Sequence, residues 1–81
     1  MFVSRDAAIA AGTRIFDAQT LGACLRQRRK KLGYTQVEVA EMMGCSPRLV
    51  GEIERGRDTV GFGRILTYAT GLGVDLVAFE R

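Results

Sequence analysis

The sequence predicts a mainly α domain of four to five helices, followed by a short C-terminal β-strand. Three observations carry that prediction. Apolar residues recur at helical spacing around residues 18–31, 35–56 and 60–72. Glycine or a small capping residue marks most of the boundaries between these stretches. The last residues, VDLVAFER (74–81), switch to an alternation with a period of two.

Size and composition narrow the class. A chain of 81 residues makes one domain. A domain this small is marginal alone, so a second copy would help it. Its 47% hydrophobic content is that of a globular protein and excludes a disordered chain. No apolar run approaches the ~20 residues that a membrane span needs. The opening MFVSRDAAIAAG has too short an apolar stretch for a secretory signal, so none is expected there. Residues 1–16 are expected to be an arm or a short helix, with Ser4 capping and Gly12 ending a turn or two. Thr13 to Phe16, TRIF, is β-prone, either an extended lead-in or a small strand.

Asp17 is a plausible N-cap for the first main helix, residues 18–31. Leu21, Cys24, Leu25, Arg28 and Leu32 share its inner stripe. Thr35 caps the next helix, whose apolar face is Val39, Ala40 and Met43, and Gly44 ends it. Ser46 caps a third helix with Pro47 at its first position, where the missing N–H costs nothing. Val50 and Ile53 form its inner face and Gly56 stops it. Thr59 can cap a last helix over residues 60–71, with Phe62, Ile65, Leu66, Ala69 and Leu72 on one face. Gly61 and Gly63 weaken its first turn, which moves its start later. The tail then reads as a strand without an obvious partner in the chain, and the simplest partner is the tail of a second copy.

Charge and site chemistry point away from catalysis. There is no His, and Cys24 and Cys45 are not in a CxxC pair, so zinc-finger spacing is absent. Free thiols buried in a reducing cytoplasm are expected. No nucleophile, base and orienting group fall together, and no Gly-rich phosphate loop follows a strand, so neither an enzyme nor a cofactor is expected. The net charge of +3 is unevenly spread. Residues 16–33 carry five cations against Asp17, a net of +4, and the rest of the chain sums to −1. That basic stretch is either an electrostatic footprint for phosphate or a solvated helix face.

Helix, Gly-containing turn and helix over residues 35–56 is the helix-turn-helix arrangement of DNA readers. The wording T-Q-x-x-x-A-x-x-x-G-x-S-x-x-x-V-x-x-I-E-x-G also resembles the phage-repressor type of helix-turn-helix, the XRE or Cro/C1-type family, over roughly residues 21–76. The resemblance implies a helix-turn-helix domain over 17–73 and a dimerisation strand over 74–81, carried by Val74, Leu76, Val77 and Phe79. It implies a double-stranded DNA operator as partner and a transcriptional repressor as function. The second helix of such a motif enters the major groove with its N-terminal residues first. Ser46, Pro47, Arg48, Leu49, Gly51 and Glu52 are therefore the expected base-reading positions. Arg48 is the only long cation among them, suited to guanine. Glu52 could accept from a cytosine amine. Leu49 could pack on a thymine methyl or lie at the edge of the core. Thr35, Gln36, Arg55 and Arg57 are the expected phosphate contacts. The resemblance also implies a structural pair between Arg29 and Glu54.

Within that family the chain is most similar to HipB-type antitoxins, through LGACLRQRRKKLGYTQ, ERGRDTV, TGLGVDL and the tail. That similarity implies a cytoplasmic homodimer, control of its own operon and a HipA-type kinase toxin as a possible partner. Two other readings stay open: a phage or restriction–modification control repressor without a toxin, and a protein–protein adaptor on the same fold.

Overall fold

A computed structural model describes residues 12–80 of the chain. The short helix expected near residues 4–11 lies outside the described residues. Four helices follow in order: α1 (Ala18–Lys31), α2 (Gln36–Met43), α3 (Pro47–Glu54) and α4 (Phe62–Gly71). The domain among the described residues is all-helical.

Local chemistry places the first three helices. Asp17 Oδ1 accepts from Thr20 N at 2.8 Å and starts α1. Four basic residues crowd the last turn of α1, where they face the negative end of the helix dipole. Thr35 and Glu38 form a reciprocal capping box at the start of α2, each side chain satisfying the other's backbone N–H. Gly44 then takes φ 68°, ψ 37°, the left-handed conformation that ends α2 cheaply. Ser46 Oγ accepts from Leu49 N at 3.2 Å, and Pro47 opens α3. The last helix departs from expectation. It begins at Phe62 with Gly61 at the cap and no side-chain cap hydrogen bond, so Thr59 does not serve there.

The core draws on every helix. Leu21 and Leu25 from α1 meet Val39 and Ala40 from α2, Val50 and Ile53 from α3, and Ile65, Tyr68 and Ala69 from α4, with Leu72 just beyond it. The expected face of α4 holds at Ile65, Ala69 and Leu72 but not at Phe62 and Leu66. Phe62 and Leu66 lie outward, 59% and 39% exposed, while Tyr68 is fully buried. Leu32 is also exposed rather than part of the α1 stripe. Cys24 and Cys45 are both free and half-buried rather than buried. Cys45 packs against the core.

Close backbone approach locks α1 to α3. A Cβ on Gly22 would stand 2.4 Å from the Ile53 carbonyl oxygen and 2.6 Å from that of Glu54. Gly56, at φ 76°, comes equally near the backbone of Gln19.

The strand expected over residues 74–81 is not formed. Residues 74–80 carry no regular secondary structure, and neither does the 13–16 stretch. A strand exists through its ladder, and no described segment pairs with this one. Val74 instead donates its N–H to the Ala69 carbonyl at 2.8 Å and packs on the core. Leu76, Val77 and Phe79 remain exposed.

Candidate nucleic-acid interface

The site is built on α3, and its C-terminal half is the anchor. Glu54 is 6% exposed and its carboxylate gathers four donors. Arg29 reaches it with two parallel bonds, Nε to Oε2 at 2.7 Å and Nη2 to Oε1 at 3.0 Å. Gln36 Nε2 donates to Oε1 at 3.1 Å, and the Tyr68 hydroxyl donates to Oε2. Arg29 Nη1 spends its remaining reach on the Tyr34 carbonyl at 2.7 Å. One residue from each helix thus converges on one carboxylate. Among the described residues no buried side-chain nitrogen or oxygen lacks a partner.

The electrostatics follow from that geometry. Burial alone would raise the Glu54 carboxyl, but the bonds from Arg29, Tyr68 and Gln36 outweigh it and hold the group below its ordinary range. Tyr68 moves the other way. Burial, and then the carboxylate it faces, push its hydroxyl well above the usual phenol range. The Arg29 guanidinium is raised by its bond to Glu54. Tyr68 was not on the expected face of α4. Its signal was available, since Ile65, Tyr68, Ala69 and Leu72 also follow helical spacing.

The N-terminal half of α3 is open. Ser46, Pro47 and Arg48 are exposed. Arg48 Nε stands 3.2 Å from Glu52 Oε1, an i,i+4 pair with the Arg side chain 85% exposed. Such a surface pair is worth under about 1 kcal/mol and gives way easily to a better partner. Leu49 is half-buried and packs against the core, the second of its two alternatives. Gly51 does not lie on the open face with the other expected base-reading positions. It is buried, because the Arg55 guanidinium and the Gln36 amide cover it.

The expected phosphate residues fall around this face. Thr35 and Gln36 stand at the start of α2, with the Thr35 hydroxyl engaged by Glu38 N. Arg55 and Arg57 flank the end of α3 and are exposed. The basic stretch is thinner than its sequence suggests. Arg29 is buried, and Arg28 Nε donates to the Leu72 carbonyl at 2.8 Å, leaving Arg26, Lys30 and Lys31 exposed. No group of three or more metal-binding side chains clusters among the described residues, and no described helix is long and apolar enough to cross a membrane.

Comparison with known proteins bears on this geometry directly. A helix-turn-helix family model matches residues 25–79. The chain belongs to the phage-repressor-like helix-turn-helix family. This is a family of DNA-binding, non-enzymatic domains. Among solved structures, a chain of a HipA-HipB-O2-O3 complex matches with a TM-score of 0.77 and 17% identity, over 85% of this chain and 97% of the other. A HipB-O4 20mer complex matches equally well, with a TM-score of 0.77 and 17% identity over the same shares. The restriction-modification controller protein C.AhdI from Aeromonas hydrophila matches at 34% identity with a TM-score of 0.64, over 73% of this chain and 86% of the controller. No curated protein sequence matches. At 17% the likeness to HipB is one of fold, and the fold is that of a DNA-binding helix-turn-helix regulator.

Proposed function

We propose that the protein is a sequence-specific transcriptional repressor that binds a two-fold operator in double-stranded DNA as a homodimer. The observation that carries this is the contrast between the two ends of α3. Its C-terminal end is fixed by the Glu54 carboxylate and its four donors, while its N-terminal end is open and offers Arg48, with the half-buried Glu52 one turn further along. A rigid helix with one exposed, polar end suits insertion into the major groove. Arg48 would read guanine bidentately, a contact worth about 1–3 kcal/mol of discrimination. Ser46, Pro47 and Glu52 would line the same groove. Thr35, Gln36, Arg55 and Arg57 would hold the flanking phosphates. The second copy would pair its tail with this one through Val74, Leu76, Val77 and Phe79, which supplies the ladder a single chain lacks. Such a regulator would work in the cytoplasm.

Two finer readings have support of different kinds. The agreement with HipB-containing complexes spans 85% of the chain and supports an antitoxin that controls its own operon and masks a HipA-type kinase. The 34% identity to C.AhdI supports a restriction–modification controller without a toxin partner. The neighbouring open reading frame separates them: a kinase gene supports the first, a restriction or methyltransferase gene the second.

A gel shift on the DNA upstream of the gene tests the main reading. Wild-type protein should form a discrete complex, and Arg48→Ala should bind specific and mixed-sequence duplexes alike. Unchanged operator preference in Arg48→Ala would overturn the base-reading role. Failure of the wild type to bind any duplex would overturn DNA binding itself.

A further inference from the structure

Gly51 is buried on α3, and the groups nearest the place of its missing side chain are polar side-chain ends. A Cβ there would stand 3.2 Å from Arg55 Nη1, 3.8 Å from Arg55 Cζ and 3.8 Å from Gln36 Nε2. The Arg55 side chain therefore folds back over α3, and its guanidinium and the Gln36 amide both come close to the bare backbone of residue 51. Gln36 spends one N–H on Glu54 Oε1 at 3.1 Å. A carboxylate only accepts, so this bond fixes which end of the amide is nitrogen and leaves its second N–H free. The Glu54 charge does not oppose an anion here, since Arg29 pairs it in two places from the inner side.

We infer that Gln36 and Arg55 form a single clamp for one DNA backbone phosphate, and that Gly51 is the positioning residue that lets the clamp assemble. This rests on the DNA-binding reading above. The clamp joins the two ends of the motif, since Gln36 opens α2 and Arg55 caps α3. A phosphodiester oxygen between them would take one N–H from the amide and one or two from the guanidinium, charge-assisted bonds of the stronger kind. A side chain at 51 would push the guanidinium outward and leave each donor to act alone.

The test is Gly51→Ala, because it separates fold from binding. The only atoms it crowds tightly belong to the flexible end of Arg55, and Ala is the better helix former, so the melting temperature should hold or rise. Affinity for a short mixed-sequence duplex should nevertheless fall about tenfold. The plot of log affinity against log salt, taken from about 50 to 200 mM, should flatten by about 0.9 for each phosphate that is no longer neutralised. On an Arg55→Ala background the same substitution should have no further effect. Wild-type affinity and salt slope in a well-folded Gly51→Ala protein would overturn the clamp while leaving DNA binding intact. Additive losses in the double variant would also overturn it. A wild-type protein that binds no duplex would overturn the functional reading, and the clamp with it.

Discussion

Gly22→Ala tests how the recognition helix is held. The substitution sits in the middle of α1 and, in a free helix, would stabilise by about 0.5–1 kcal/mol. Here the added methyl would stand 2.4 Å from the Ile53 carbonyl oxygen, 2.6 Å from the Glu54 oxygen and 2.9 Å from the Glu54 carbonyl carbon. Those atoms are backbone in the last turn of α3 and cannot rotate aside. Either α1 or α3 must move, and any movement stretches the 2.7 Å bond from Arg29 to Glu54. Overpacking costs about 1–3 kcal/mol, more when the neighbours are rigid. Net of the helix gain, a loss of about 2 kcal/mol is expected. At about 4–8 °C per kcal/mol for a domain of this size, the melting temperature should drop by about 8–16 °C. Thermal unfolding followed by far-UV circular dichroism measures it. Gly63→Ala is the matched control: nothing lies within 4 Å of its new methyl, so it should stabilise by about 0.5–1 kcal/mol. A Gly22→Ala protein that melts at or above the wild-type temperature would refute the close-packing argument.

The hub around Glu54 gives further expectations. Glu54→Gln strands the Arg29 charge and should cost about 3–5 kcal/mol, read by urea unfolding. Tyr68→Phe removes one donor and leaves the carboxylate its other three, so about 1.5–3 kcal/mol is expected, and a loss as large as that of Glu54→Gln would contradict the hub. Stability should also depend on pH at both extremes. The depressed Glu54 contributes fully above its unfolded pKa of about 4.3, and that contribution fades as pH falls below it. The raised Tyr68 contributes fully below about 10, and that contribution fades as pH rises past it. Tyr68→Phe should erase the alkaline arm of the profile and keep the acid one. Deleting residues 74–81 should give monomers in analytical ultracentrifugation, and a dimer that persisted would sink the tail-pairing proposal.

The boundaries of the first three helices were legible because capping is local chemistry. Asp17, Thr35, Ser46, Gly44 and Gly56 each stand within four residues of the groups they satisfy or the turn they make. Glu38 could have been added, since T-x-x-E at a helix start is the capping-box pattern. The face of α4 was not legible in the same way. Ile65, Ala69 and Leu72 are buried as expected, but the stripe they make can extend to Phe62 and Leu66 on one side or to Tyr68 on the other. The second wins because its tyrosine hydroxyl reaches Glu54, fourteen residues away in sequence. Gly22 and Gly51 were unreadable for a related reason. Each looks like a weak point in a helix, and only the neighbouring element shows that a side chain would collide with backbone in one case and with a guanidinium in the other. The tail reads as a strand by alternation, but a ladder needs two segments, and the described chain supplies one.

These constraints bear on how an eight-residue helix could read DNA. Val50 and Ile53 are core, Leu49 packs at its edge, Gly51 is covered, and Glu54 is the anchor. That leaves Ser46, Pro47, Arg48 and Glu52 to face bases, and Pro47 offers no backbone donor. Arg48 and Glu52 also meet at 3.2 Å through Nε and one carboxylate oxygen, which leaves both Arg48 Nη groups and Glu52 Oε2 free for bases. A set this small cannot define a long site from one subunit. In the proposed dimer two subunits would double it, and the tail pairing that joins them would make half-site separation and DNA shape part of the recognition.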